Sequence, residues 1–180
     1  MRVVLVGAAA VTLPAIAFAV DYQSADAAAK LMFPDADAFE TRTAAPDAAG
    51  LKQLHEQGAG GRTHSWTVRI ARRGGAVLGY VVTDQALGKA ELIDFAVGLT
   101  PDGTVKQVEI LSYRESQGHE IRMPAWRRQF VGKGATAALR VGEDIANVSG
   151  ATLSCTHVTD AIRRIVAAVA LMRRSAALPG

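Results

Sequence analysis

The clearest pattern of apolar positions lies near the end of the chain. Five apolar residues recur there at spacings of four and three: Val158, Ile162, Ile165, Val169 and Met172. These spacings place them on one stripe of a helix. The pattern predicts a long helix that begins near Thr152 and frays after Arg174. Because an apolar stripe must be buried, we expect this helix to pack against another layer of the fold.

Upstream of that helix the hydrophobic period is two. Trp66, Val68 and Ile70 alternate with polar or small residues, which is typical of a half-buried strand. The sequence Arg-Arg-Gly-Gly at 72–75 and the sequence Thr-Pro-Asp-Gly at 100–103 are turn signals. We therefore predict four consecutive antiparallel strands, with one face of the sheet covered. They begin at His64 and continue over 77–83, 91–99 and 105–113.

Shorter elements complete the predicted architecture. Ser24 is a suitable N-cap for a helix over 24–32, and Gly58 follows a second predicted helix over 48–57. A short strand is expected between these two helices, and a short helix over 124–130. The fold class predicted is α+β, an antiparallel β-sheet packed against a long C-terminal helix and shorter helices.

The first nineteen residues have the composition of a secretory signal. Arg2 precedes an almost wholly apolar run, and Ala17-Phe18-Ala19 is a cleavage signal of the small-x-small type. We predict a signal peptide over 1–19, a single domain over 20–180, and a periplasmic location. The alternative is an uncleaved segment that anchors the protein in the inner membrane.

Charge and cysteine content exclude several function classes. The net charge is only +3, and the basic residues occur as scattered pairs, so we expect no nucleic-acid partner. Cys155 is the single cysteine, which rules out an internal disulfide and a cysteine metal site. The four histidines lack the spacing of metal ligands, and no metal is predicted. A redox role would therefore require a cofactor that is held by other chemistry.

A run of small and hydroxyl residues, Ser149-Gly150-Ala151-Thr152, precedes the long helix. The start of a helix carries unpartnered N–H groups and positive partial charge, and small residues allow a ligand to approach the backbone. Such a segment suits a bound phosphate. The alternative is plain capping, in which Ser149 or Thr152 accepts hydrogen bonds from N–H groups of its own helix.

Other candidate chemistry lies on the same helix. Ser154, His157 and Asp160 follow one another at intervals of three residues, but one helix surface does not place a histidine between a nucleophile and an acid. We therefore predict no catalytic triad. Cys155 lies either near the positive helix start as a reactive thiol or in the core as an inert one.

The segment over 148–154, Val-Ser-Gly-Ala-Thr-Leu-Ser, resembles the flavinylation motif of FMN-binding domains. These domains occur in one component of the sodium-pumping NADH:quinone reductase, in one component of the Rnf complex and in small exported proteins. The resemblance implies that Thr152 forms a phosphoester with FMN, which a separate flavin transferase installs from FAD with magnesium. The neighbouring cofactor-binding residues would be Ser149, Gly150, Ala151, Leu153 and Ser154.

A second stretch supports the resemblance. The segment over 113–121 is similar to the family's loop beside the flavin ring, which implies that Glu115, Ser116 and Gly118 line the ring. Trp126 either stacks near the flavin or fills the core. Lys89 either meets the cofactor or lies on the surface.

The chain departs from the family pattern at one position. The family usually places an Asp three residues before the serine of the motif, where this chain has Ala146. The nearest acids are Glu143 and Asp144, and a small shift of the loop would bring Asp144 close.

Taken together, the resemblance implies an exported flavoprotein with covalent FMN at Thr152 that relays electrons, rather than a stand-alone enzyme with catalytic residues. Its partners would be a flavin transferase and redox proteins, including a membrane electron-transfer complex. Two alternatives stand beside this hypothesis. One is a non-flavinylated binding or assembly module of the same fold, associated with a membrane redox complex, and the other is a flavoenzyme with a small-molecule substrate.

Overall fold

A single antiparallel sheet organises the fold. The computed structural model describes residues 20–115 and 119–180, so the predicted signal peptide lies outside the described residues. In these ranges the sheet has six strands in the order β1-β6-β5-β4-β3-β2. The strands are β1 Val20–Asp21, β2 Ala38–Ala44, β3 Trp66–Arg73, β4 Ala76–Leu87, β5 Leu92–Leu99 and β6 Val105–Tyr113. The helices are α1 Ala25–Met32, α2 Ala48–Glu56, α3 Pro124–Arg127 and α4 Thr152–Arg174, with 3-10 turns at His119–Arg122 and Arg128–Phe130.

The predicted α+β fold is confirmed, and local sequence signals account for several element boundaries. Ser24 caps α1, since its Oγ accepts a hydrogen bond from the N–H of Ala27 at 3.1 Å. The turn between β3 and β4 consists of Gly74 and Gly75, both with positive φ, as a tight hairpin turn requires. The strand β4 is longer than predicted and runs on to Leu87.

The main core lies between α4 and one face of the sheet. The predicted stripe of α4 is fully buried, and it packs in one cluster with large side chains from the strands, such as Tyr80 and Phe95. The helix α2 packs beside α4 and adds Leu54 to the same cluster. Burial of this cluster supplies the main stabilisation of the fold.

The other face of the sheet is covered as well, and the prediction of one covered face was wrong. Ala28, Ala29 and Met32 of α1 pack with Phe33 in a second buried cluster. The strand residues in this cluster are Ala71, Val81, Ala96 and Leu111. Central strands buried on both faces have continuous apolar runs, and β5 is fully buried from Phe95 to Leu99.

A glycine in β4 permits the close packing of this second face. Gly79 has a φ of +151°. A Cβ atom at this position would lie 2.2 Å from the carbonyl oxygen of Leu99 and 2.6 Å from Cζ of Phe33. Both distances are far shorter than van der Waals contact, so only glycine fits without movement of β5 and of the segment that follows α1.

We predict that Gly79→Ala lowers the free energy of unfolding by about 3 kcal/mol, because the backbone conformation and both contacts oppose a side chain. The melting temperature should fall by roughly 6–12 °C. Gly134→Ala is the matched control, because its added Cβ would meet only Cγ2 of Thr104, at 3.7 Å. Thermal melts of the three proteins would contradict the packing argument if Gly79→Ala melted with the wild type.

The first described strand fixes where the chain enters the domain. Val20 pairs with Tyr113 and Asp21 with Ser112, so β1 lies beside the C-terminal end of β6. The start of β1 is therefore at the end of the sheet where β6 finishes. Within the described ranges, no helix combines the length and the apolar character needed to cross a bilayer.

Candidate functional site

Three segments meet at this end of the sheet: the turn between β4 and β5, the segment that follows β6, and the first turn of α4. They line a cavity of about 310 Å³ that is open to solvent. Its lining residues are Lys89, Glu115, Gly150, Ala151, Thr152, Leu153 and Ser154. The structure thus brings together Glu115 and five of the six predicted residues of the Ser-Gly-Ala-Thr region, and it adds Lys89.

Thr152 is the first residue of α4, and its side chain is exposed. Ala151 occupies the N-cap position, and neither Ser149 nor Thr152 accepts a hydrogen bond from the first N–H groups of the helix, so the interpretation of this segment as a plain capping motif was wrong. Gly150 has a φ of +83°, a left-handed conformation that favours glycine. The first N–H groups of α4 consequently face the cavity region without a capping side chain.

A neighbouring amide holds the hydroxyl of Thr152 in place. The Nδ2 of Asn147 donates a hydrogen bond to Oγ1 of Thr152 at 3.0 Å. This leaves the hydroxyl proton of Thr152 free to point away from Asn147. Sequence reasoning did not identify Asn147, because a contact across five residues of loop has no periodic signal.

Glu115 fastens the β4–β5 turn to the end of β6. Its carboxylate accepts hydrogen bonds from the N–H of Ala90 at 2.6 Å and of Glu91 at 3.0 Å. Burial by itself raises the pKa of this carboxyl, but the backbone N–H groups of the turn and the charge of Lys89 outweigh burial and lower the pKa. Glu115 is therefore ionised at neutral pH and keeps Lys89 at the cavity.

The loop that precedes α4 is held by two residues of the short helical segment. The indole Nε1 of Trp126 donates to the carbonyl oxygen of Ala146 at 3.0 Å, and the N–H of Ala146 donates to Oε1 of Gln129 at 2.7 Å. Trp126 is only 4% exposed and contacts Phe130 edge to face at 5.0 Å. It is absent from the cavity lining, and its burial favours the core alternative for this residue.

Asp144 does not take the place of the family's Asp in this structure. Its carboxylate accepts hydrogen bonds from the N–H groups of Leu139 and Arg140 and pairs with Nζ of Lys133 at 3.0 Å. Burial acts to raise its pKa, but these partners lower it overall. Asp144 thus closes the loop on the side of Lys133 instead of facing Thr152.

The remaining polar residues of α4 have structural partners. The hydroxyl of Ser154 is hydrogen-bonded to Tyr113, and Nδ1 of His157 lies 2.5 Å from the carbonyl oxygen of Leu87. Asp160 accepts from Arg163. These separate contacts agree with the prediction that the three residues form no triad.

Of the two alternatives for Cys155, a reactive thiol at the helix start and an inert thiol in the core, the structure supports the inert thiol. Cys155 is fully buried, and burial raises the pKa of its thiol.

Of the residues predicted to line the flavin ring, Ser116 and Gly118 lie outside the described residues.

Comparison with protein families finds a match for this region. Residues 88–167 match the model of the FMN-binding domain, a segment that includes the cavity and most of α4. This segment is similar to an FMN-binding domain. The resemblance inferred from the sequence is confirmed.

One curated protein is similar to this chain in sequence, and one solved structure is similar to it in fold. The chain is 32% identical over 104 residues to the G subunit of the proton-translocating ferredoxin:NAD(+) oxidoreductase complex of Clostridium ljungdahlii. The match covers 53% of this chain and 56% of the relative, so it spans only about half of each. The crystal structure of Shewanella oneidensis NqrC is similar in fold, with a TM-score of 0.51, 21% identity, and coverage of 81% of this chain and 73% of NqrC.

We predict that Glu115→Gln lowers the free energy of unfolding by about 1 kcal/mol at pH 7, because hydrogen bonds to an ionised acceptor are stronger than those to an amide. A carboxyl whose pKa is lowered on folding contributes stability above its ordinary pKa of 4.5 and loses it as the pH falls further. The difference between the two proteins should therefore shrink below pH 4.5.

Denaturant unfolding across the acid range measures this difference. Glu143→Gln is the matched control, since its exposed side chain pairs with the exposed Arg140 and the change should give a small effect. Parallel pH curves for wild type and Glu115→Gln would show that the carboxylate does not hold the turn.

Proposed function

We propose that this protein is an exported flavoprotein that carries FMN through a phosphoester on Oγ1 of Thr152 and relays electrons between other proteins. The observation that supports it best is the position of Thr152. Its exposed hydroxyl lies at the uncapped start of α4, in a cavity of a domain that matches the FMN-binding family.

The residues around Thr152 suit a phosphate. The start of α4 provides N–H groups and positive partial charge, and α4 is 23 residues long. Lys89 lines the same cavity and adds a full positive charge. Gly150 has no side chain to obstruct the approach of a phosphate to the backbone.

The sides of the cavity suit a flavin ring. Leu153 is 49% exposed and presents apolar surface to the cavity. Glu115 places a carboxylate in the same lining. The family resemblance implies that Ser116 and Gly118, which lie outside the described residues, would also line the ring. When bound, the flavin supplies the redox chemistry, and the protein tunes it through nearby charge and hydrogen bonds.

Attachment requires an activated donor of FMN. The resemblance implies a flavin transferase that uses FAD and magnesium, so that Oγ1 of Thr152 would form the new bond to the FMN phosphorus, while the pyrophosphate bond of FAD would break and AMP would leave. The hydrogen bond from Asn147 orients the lone pairs of Oγ1, while the hydroxyl proton remains available to a base of the transferase.

The location and partners follow from the same proposal. We infer that residues 1–19 direct export and are removed, which leaves a mature domain over 20–180; an uncleaved anchor in the inner membrane is the alternative. A covalent tether would keep the cofactor with a protein outside the cytoplasm. The relative from C. ljungdahlii belongs to a redox complex, so we propose redox proteins of a membrane complex as partners.

We predict that Thr152→Ala abolishes covalent FMN and leaves the fold intact, because the change removes the acceptor oxygen at an exposed position. Thr156→Ala, one turn further along α4, is the matched control and should remain modified. The measurement is the intact mass of each protein after co-expression with a flavin transferase, followed by peptide mapping. Acid-stable flavin on Thr152→Ala would overturn the assignment of the acceptor.

The same measurement on the wild type separates the main proposal from its alternative. A mass increased by one FMN less one water supports the flavin carrier. An unmodified wild type favours the binding or assembly module, and the observation behind that alternative is the alanine at position 146.

We also predict that Ala146→Asp raises the modified fraction several-fold when the transferase is limiting, because the family resemblance implies that an Asp at this position aids recognition by the transferase. Ala146 is exposed, and both of its backbone polar groups are already held, so a carboxylate can be added without rearranging the loop. Ala135→Asp, at another exposed loop position, is the control and should not change the fraction. Equal rates of modification in all three proteins would show that a carboxylate at position 146 plays no part.

A further inference from the structure

The described part of the chain covers one edge of the sheet and leaves the other edge uncovered. At one edge, the chain around β1 and the segment around Gly132 cover the outer side of β6: the N–H of Tyr22 donates to the carbonyl oxygen of Leu111, and the N–H of Gly132 donates to that of Val105. Between these points Nη1 of Arg127 donates to the carbonyl oxygen of Val108 at 2.9 Å. An edge whose backbone groups are satisfied in this way does not recruit another strand.

The opposite edge, β2, has no such cover among the described residues. It is the last strand in the sheet order, and its extensive contacts are with β3. The seven residues from Ala38 to Ala44 include neither proline nor lysine, two residues that commonly protect an edge. Phenylalanine and threonine, both of which favour strands, occupy three of the seven positions.

The charges of β2 are arranged symmetrically about its centre. Glu40 and Arg42 lie on either side of Thr41 and, at a spacing of two, point to the same face of the sheet. Within one chain the two side chains pair with each other, and Glu40 also pairs with Arg72 at 3.1 Å. Both are partly exposed, so they remain accessible to another strand.

We propose that β2 is a self-association edge and that a second copy of this chain pairs with it in antiparallel orientation about Thr41. This register places Glu40 opposite Arg42 of the second copy, and Arg42 opposite its Glu40. Phe39 then faces Thr43 of the second copy, another favourable cross-strand pair. Directly opposite residues of an antiparallel pair lie closer together than residues i and i+2 of one strand. Glu40 and Arg42 can therefore reach each other more easily across the two chains than within one chain.

Pairing of this kind has a defined consequence for the molecule. The contact is isologous and closes as a two-fold dimer with one continuous sheet of twelve strands, twice the six of each chain. The buried area of one strand edge is small, so the dimer should be weak and should depend on concentration. The candidate flavin site, formed by the β4–β5 turn, the segment that follows β6 and α4, is on the other half of the sheet and stays open.

A charge reversal tests the proposed register. Arg42→Glu would place like charges opposite each other at both symmetric positions and should weaken dimerisation roughly tenfold or more. The double variant Glu40→Arg/Arg42→Glu restores opposite charges and should recover the dimer. Lys52→Glu, at an exposed position on α2, is the control for a change of net charge.

Sedimentation equilibrium over a concentration series measures the association, and circular dichroism checks that each variant is folded. The expected result is a concentration-dependent dimer for the wild type, the double variant and Lys52→Glu, and a shift toward monomer for Arg42→Glu. A wild type that remains monomeric at every concentration, or a dimer that Arg42→Glu leaves unchanged, would overturn the proposal.

Discussion

The burial of α4 across the sheet is the interaction on which the candidate site depends. Helix residues such as Val158, Ile162 and Ile165 are fully buried, and each contributes on the order of 1.5–3 kcal/mol relative to exposure. A shift of the helix by one residue would rotate the apolar stripe away from the strands. Thr152 is therefore held at the end of the sheet by packing that lies one to four turns away from it.

Polar contacts then set the local geometry that packing leaves undetermined. Glu115 ties the β4–β5 turn to the end of β6, and His157 ties the carbonyl of Leu87 to α4. The loop before α4 is held at Ala146 on both its N–H and its carbonyl sides. Each of these contacts joins segments far apart in the chain, so the cavity is a product of the complete fold.

The difference between periodic apolar packing and single polar contacts explains which features the sequence could predict. The helix α4 was placed correctly because the five residues of its stripe recur over about four turns, and the hairpin at Gly74 and Gly75 because turn chemistry is local. The cover of α1 over the second face was missed, since small residues such as Ala71 and Ala96 have no distinctive period. The partners of Ala146 and Thr152 were also missed, because single hydrogen bonds across a loop leave no pattern in the sequence.

The shape of the cavity gives a physical reason for a covalent link in the proposed function. Sites that hold a free cofactor tightly usually enclose most of its surface. Here the cavity is open, and Thr152, Gly150 and Leu153 in its lining are exposed. A phosphoester would retain the flavin without enclosing it, and an unenclosed ring can exchange electrons with another protein at the surface. In the proposed relay, the phosphoester on Thr152 would retain the flavin, and the open cavity would leave the flavin ring accessible to a redox partner.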